Sequence, residues 1–385
     1  MTTHVFIVDD NTFKYHLEYM FAGTGSGEKE IDFNNSSDTK LYGGKKHAGE
    51  NSLVGMMADG CRVRKNDLII FYVQGKSKKH EGLFFGIFQA TENGIYLDCN
   101  DGNQFLKDKL KKSLTFRLRI KPYEVYSQGV TEWKALDEIQ NIHAPYQMLW
   151  SLIYRKLKGN RGNTMITIYE AERLIDLIRE ENCNQKIDCD NQSLSYDDKK
   201  YEIITVSENF SYTGRKEVIN ILPRLIAKNN SGKAHEVHLQ MYITQNLGLG
   251  TNKSLDDALG ITGRKIEWLG NEVSCGMGMQ RIDVMFSIDE SDTQKFLYPI
   301  ELKAVPAGDD NTRQLKKYID WIVQYYKPNR ISTIQPVLIC KKHKPISDEL
   351  KRNFRSFNEI KGKKRLKYIE YEIIENDIIF NEVEY

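Results

Sequence analysis

No stretch of this 385-residue chain approaches the ~20 consecutive apolar residues that a membrane span requires. Its first residues, "MTTHVFIVDDNTF", carry no basic start and no long apolar run, so they do not read as an export signal. Cysteine is sparse: Cys61, Cys99, Cys183, Cys189, Cys275 and Cys340 are scattered, without the dense pairing of a secreted disulfide scaffold. Together these absences predict a soluble cytoplasmic protein with no membrane partner. An excess of either charge is also lacking. With 55 Lys and Arg against 53 Asp and Glu, the formal charge is +2, and no global field marks a polyanionic partner. Enough cations remain for a local basic surface. Neither His235 with His238 nor Cys183 with Cys189 has the second pair a structural zinc needs. The glycine-rich "LGLGTNKS" at 247–254 lacks the spacing of a phosphate loop and reads as a turn. There is no internal repeat.

What is present divides into three parts, as expected for a chain too long for one core. Residues 1–142 read mainly as strands and turns: "HVFIV", "LIIFYV", "LFFGIFQA", "GIYLDC" and "LTFRLRI" are short β-branched and aromatic runs between polar clusters, predicting a small β-barrel or sandwich. Between them, "FAGTGSGEKEIDFNNSSDTKLYGGKKHAGENS" reads as a long polar loop. Residues 143–230 carry two amphipathic helical patterns, "APYQMLWSLIYRKL" and "TIYEAERLIDLIREE", and form an expected helical connector. Residues 231–385 alternate element types in the order αβββαβ, an α/β arrangement with a mixed sheet.

The chemistry concentrates in "RIDVMFSIDESDTQKFLYPIELK". Strand alternation sets Arg281, Asp283 and Met285 on one face of the first run, and Pro299, Glu301 and Lys303 on one face of the second. If the two strands pair through the polar hairpin between them, Asp283 and Glu301 meet. Two carboxylates that close do not both stay ionised cheaply without a cation between them. A few carboxylates plus water is how magnesium is usually bound, and such an ion assists in-line displacement at phosphorus. Lys303, on the same face, is placed to orient or deprotonate an attacking water and to screen the phosphate.

Asp283 followed by Glu301-Leu302-Lys303 resembles the PD-(D/E)xK nuclease superfamily, and the αβββαβ order agrees with its restriction-endonuclease-like fold. Ile282 stands where the superfamily name has proline. The fuller series "GMQRIDV", "IELKA" and "RQLKKY" is similar to the RecB-like branch, which includes the nuclease domain of NucS-type mismatch endonucleases. The resemblance covers roughly the last 150 residues. It implies metal ligation by Asp283, Glu301 and the Leu302 carbonyl, a catalytic Lys303, an outer or second-metal Glu236, and helper roles near the DNA backbone for Gln314 and Tyr318. Magnesium is the implied cofactor, with manganese as a substitute.

Further upstream, "KNDLIIFYV" followed by "GLFFGIFQA" resembles PUA-like barrels, particularly EVE modules, with Asn66-Asp67 where Gly-Asp is usual. That resemblance implies nucleic-acid binding, including receipt of an extruded base. Lys76, Lys78, Lys79 and His80 are candidates for phosphate contact, and Tyr72 with Phe71, Phe84 and Phe85 for stacking, although alternation sends at least half of these rings into the core. Arg161, with Arg155, Lys156 and Lys158, either contacts DNA or lies in a join between domains. Two readings also stand for "KRNFRSFNEIKGKKRLKY". It is a surface that tracks a nucleic-acid backbone, or Phe354, Phe357 and Leu366 pack inward beneath solvated cations.

The combined expectation is a magnesium-dependent endonuclease acting on double-stranded DNA, a restriction enzyme with or without dependence on a modified base, working as a homodimer. A repair endonuclease for mismatched or branched DNA and a non-cutting nucleic-acid-binding protein are the alternatives.

Overall fold

The computed structural model describes all residues except 26, 28, 34–48, 76–80, 157–161, 190–191, 277–279, 292–293, 326–331 and 343–344. It contains two compact units, one through most of Met1–Ile219 and the other from Asn220 to Tyr385. No helix among the described residues is long and apolar enough to cross a membrane.

The first unit follows the order β1 (Thr3–Asp9), α1 (Asp10–Glu18), β2 (Phe21–Thr24), α2 (Glu50–Cys61), β3 (Leu68–Gln74), β4 (Leu83–Ala90), β5 (Tyr96–Leu97), α3 (Lys107–Leu110), β6 (Phe116–Pro122) and β7 (Val130–Thr131). It continues through α4 (Trp150–Lys156), β8 (Asn163–Ile166), α5 (Ile168–Glu181), β9 (Ser193–Asp197), β10 (Glu202–Val206) and β11 (Glu217–Val218). Its main sheet runs β11-β5-β6-β4-β3-β1-β8, with β2 against β6 and β7 against β4. β1 and β3 are parallel, and β8 closes antiparallel onto β1.

No pairing among the described strands joins the two ends of this sheet into the small barrel expected from sequence. The reason lies in β3, whose run Leu68–Val73 is buried on both faces. Ile70 and Tyr72 pack with Leu174, Ile175 and Ile178 of α5. The Phe71 ring lies 5.3 Å from that of Phe13 on α1, on the other side. A strand covered by a helix on each face reads as a continuous apolar run, as barrel strands can too. α1 begins where it does because Asp9 and Thr12 form a reciprocal capping box. The expected connector at 143–230 does not stand alone. Leu149, Leu152 and Leu174 share a core with Val5 and Tyr72, while the portion from Asn220 folds with the second unit.

The second unit comprises α6 (Leu222–Asn230), α7 (Glu236–Asn246), α8 (Lys253–Leu259), β12 (Ile266–Cys275), β13 (Gln280–Ser291), β14 (Gln294–Lys303), α9 (Asp310–Tyr325), β15 (Ser332–Ile334), β16 (Val337–Lys341), α10 (Asp348–Asn358), β17 (Lys367–Ile374) and β18 (Asp377–Glu382). The expected αβββαβ series is present as α7, β12, β13, β14, α9 and β16, with α8 and β15 inserted. The sheet order is β12-β13-β14-β16-β17-β18, with β15 paired to β14. β12 to β14 form an antiparallel meander, whereas β14, β16 and β17 are mutually parallel. Parallel neighbours need crossovers, and α9 and α10 supply them.

One buried group makes the first unit sensitive to acid. His16 is fully buried on α1, its Nδ1 donates to the Phe21 carbonyl at 2.9 Å, and burial pushes its pKa down to about 3. The fold therefore holds neutral imidazole, while the unfolded chain takes up a proton below about pH 6.5. Stability from this residue is complete above that value and falls as the pH drops toward 3. Its share of the loss between about pH 7 and pH 5 is about 2 kcal/mol. Urea unfolding of wild type and a His16→Gln variant at both values checks this: the variant has the shallower dependence on pH. Equal dependence in the two proteins would refute it.

Candidate active site

The ladder between β13 and β14 reaches Val284–Ile300 and stops. Continuing the same register sets Asp283 opposite Glu301, with both side chains on one face. Side chains then take over the bonding that the ladder gives up. Asp283 Oδ2 accepts from the Leu302 N–H at 2.8 Å, filling a main-chain donor that regular pairing would have given to a β13 carbonyl. Because the N–H and C=O of one strand residue point to the same edge, the Leu302 carbonyl faces β13 too. On the other side of β13, pairing with β12 passes over Glu272, which takes a left-handed φ of 48° opposite Asp283. There Gln240 Nε2 donates to the Asp283 carbonyl at 2.8 Å.

Glu301 is completely buried. Its Oε1 lies 2.6 Å from Lys303 Nζ, and its Oε2 is 2.7 Å from the Tyr318 hydroxyl. That hydroxyl is also 2.8 Å from the Arg281 carbonyl and accepts from Gln314 Nε2 at 2.7 Å. A phenol has one proton, so the two acceptors cannot both receive it. Burial, then the neighbouring Glu301 charge, hold the Asp283 carboxyl well above the usual range, and burial raises Glu301 despite its bonds to Lys303 and Tyr318. For Lys303, burial pulls the pKa down, but the ion pair with Glu301 and the charges of Glu236 and Asp283 outweigh it and leave it raised. Glu236, at the start of α7, lies 3.6 Å from the same ammonium. As held here, Lys303 is a charged donor and not a base.

All six side chains singled out for catalysis, Asp283, Glu301, Lys303, Glu236, Gln314 and Tyr318, thus fall in one connected set. The nucleic-acid candidates fare differently. Tyr72 is buried and bonded to Glu132 in the first unit's core, and Phe71, Phe84 and Phe85 are fully buried, so none of these rings is offered for stacking. Lys76, Lys78, Lys79, His80, Lys158 and Arg161 lie outside the described residues. His235 serves the fold, its nitrogens meeting the Lys233 carbonyl and the Tyr371 hydroxyl, each at 2.9 Å. Among the described residues, no three or more His, Cys, Asp or Glu cluster as a metal site.

Sequence reasoning missed Gln240. Its position one helical turn after Glu236, on the same face of α7, was the available signal. Gln240→Met keeps the side chain's bulk but leaves the Asp283 carbonyl without that donor, and the expected cost is about 1–3 kcal/mol in chemical denaturation. Gln240→Glu should lose more stability at neutral pH than in acid, because only the protonated carboxyl can donate. A methionine variant as stable as wild type would sink this assignment.

No family model matches the chain, and no curated protein matches it. Among solved structures it is similar to that of a hypothetical protein from Leishmania major, at 10% identity and a TM-score of 0.28, over 47% of this chain and 96% of the other. A likeness of that size carries no argument about fold or function.

Proposed function

We propose that the second unit hydrolyses DNA phosphodiester bonds with magnesium, as an endonuclease that restricts foreign DNA. The observation that carries this reading is the meeting of Asp283 and Glu301 where the β13–β14 ladder ends, with Lys303 2.6 Å from Glu301. Two carboxyls held above their usual range, one of them fully buried, form a place where a cation relieves repulsion. The donor set fits a hard divalent ion that takes few protein ligands and keeps its water: Asp283, Glu301 and the Leu302 carbonyl would hold it. When bound, magnesium supplies charge stabilisation at phosphorus and acidifies water.

The chain's own groups do the rest. Lys303 donates to a phosphate oxygen or to the attacking water, and its raised pKa keeps that donor charged at neutral pH. Tyr318 fixes the rotamer of Glu301, and Gln314 fixes Tyr318. Glu236 shares the Lys303 ammonium and limits how far it swings. Gln240 and the Leu302 N–H hold Asp283 from two directions.

The same proposal gives the first unit the part of reader. Its "KNDLIIFYV" and "GLFFGIFQA" strands resemble those of PUA-like modules, and a reader joined to a hydrolase suits restriction, including restriction of DNA carrying a modified base. A homodimer acting on double-stranded DNA in the cytoplasm completes it, since one active site cuts one strand.

Incubating wild type, Asp283→Ala and Lys303→Ala with unmodified and 5-methyl- or hydroxymethylcytosine DNA, with magnesium or EDTA, tests it on a gel. Discrete fragments that need magnesium are expected from wild type, with rates lower by about 10²–10³-fold or more in each variant. Cleavage that survives both substitutions, or no cleavage of any DNA, would overturn the reading.

A further inference from the structure

The basic segment that follows β16 in the second unit is distinct from the carboxylate network. Between Lys351 and Arg365 the sequence places seven cations, Lys351, Arg352, Arg355, Lys361, Lys363, Lys364 and Arg365, against one acid, Glu359. α10 and the turn after it sort them by face. Phe354, Phe357 and Leu366 are buried, at 0%, 5% and 3% exposure, while Arg352, Arg355, Lys361, Lys364 and Arg365 are exposed. Lys363 and Lys364 lie with Nζ 4.1 and 3.8 Å from the centres of the Phe357 and Phe296 rings, so these aromatics underpin the cations from within. Among the described residues no carboxylate pairs with Arg352, Arg355, Lys361 or Lys364. Ion pairs are common elsewhere on this unit's surface, so cations this dense and unneutralised stand out.

We infer that this face of α10 and the turn to β17 binds the phosphate backbone of duplex DNA. Three observations select that partner. Every aromatic side chain from Lys351 to Leu366 is turned inward, so nothing here stacks on the splayed bases of a single strand. Leu366 and both phenylalanines are likewise unavailable to insert into a lipid surface, which argues against a membrane. Position supplies the third. α10 crosses from the end of β16, where Cys340 pairs with Lys303, back to the start of β17. Midway along it, Asn353 Nδ2 contacts Asp309 Oδ1 at 2.6 Å, just before α9, the helix that carries Gln314 and Tyr318. The cations therefore lead away from the end of the strands that holds the carboxylates. An 11-residue helix extends about 16 Å, over which a duplex presents on the order of nine phosphate charges.

Such contacts position the polymer without reading bases, so they add affinity of equal size for any duplex sequence. The inference rests on the nuclease reading only for the choice of DNA. Its test is run on the full chain in EDTA, by fluorescence anisotropy of labelled duplex across a range of KCl concentrations. A variant combining Arg352→Gln, Arg355→Gln, Lys361→Gln and Lys364→Gln is expected to bind at least about tenfold more weakly, with the slope of log K against log salt shallower by about 3–4. Arg352→Lys with Arg355→Lys should keep wild-type binding, and circular dichroism should show all variants folded. A fourfold variant with unchanged affinity and slope would overturn the assignment, as would tighter binding of wild type to phosphatidylserine vesicles or to single-stranded DNA than to duplex. Cleavage with magnesium is scored separately against Asp283→Ala. Loss of binding in the fourfold variant of a protein that cuts nothing leaves the surface standing and sinks the nuclease. Unaltered binding in the fourfold variant, with cutting that Asp283→Ala abolishes, does the reverse.

Discussion

The second unit is organised around a conflict: two carboxylates face each other where a β ladder ends, and neither is free to turn away. A ladder that continued past Val284 and Ile300 would have used its own main chain to satisfy Leu302. Because it stops, the Leu302 N–H needs an acceptor, and on the other side of β13, where pairing with β12 passes over Glu272, the Asp283 carbonyl needs a donor. Asp283 and Gln240 provide them. The same bonds that settle the backbone fix Asp283 beside Glu301, and burial makes their repulsion expensive. Lys303 is the countercharge at hand, and its raised pKa is the mirror image of that repulsion.

Around this conflict, helices act as clamps. α9 reaches the site through Gln314 and Tyr318, one turn apart, and Tyr318 touches both β13, at the Arg281 carbonyl, and β14, at Glu301. α7 reaches it through Glu236 and Gln240, also one turn apart, with one residue on each strand. Each helix therefore spans the gap the ladder leaves. The arrangement holds these side chains in fixed positions across the point where the strands part.

Much of this was legible in the residues. Period-two alternation in "QRIDVMF" and "LYPIELK" set Asp283, Glu301 and Lys303 on one face before any coordinates, because side-chain direction in a strand follows from the chain alone. The helical spacing of Gln314 and Tyr318 was equally plain. Gln240 was less plain, since its one-turn spacing from Glu236 becomes a signal only once the strand that α7 meets is known. The first unit was the less readable of the two. A run such as "LIIFYV" fits a barrel strand and a strand sandwiched between helices equally well, and what decides is the covering helix. α1 was hidden in "DNTFKYHLE", whose polar residues masked a buried face that includes Phe13, His16 and Leu17. In the region 143–230 the helices were legible but their packing was not: an amphipathic helix declares an apolar face but not the sheet that receives it.

The basic segment shows how coordinates settle an ambiguity that composition leaves open. Interleaved phenylalanines and cations suggest either a surface that tracks a nucleic-acid backbone or rings packed inward beneath solvated cations, and the residues alone favour neither. Once Phe354 and Phe357 are seen to be core, the aromatics stop being ligands and become the floor on which the cations stand. Burying them serves the fold, and exposing unpaired arginines does not: like charges repel, and a surface with no partner would gain from neutralising them. An unneutralised cationic face in the same unit as a carboxylate site has a simple physical rationale if the two meet one polyanion. The carboxylates then need a cation to tolerate the phosphate at the cleavage point, whereas the arginines and lysines attract the phosphates that flank it.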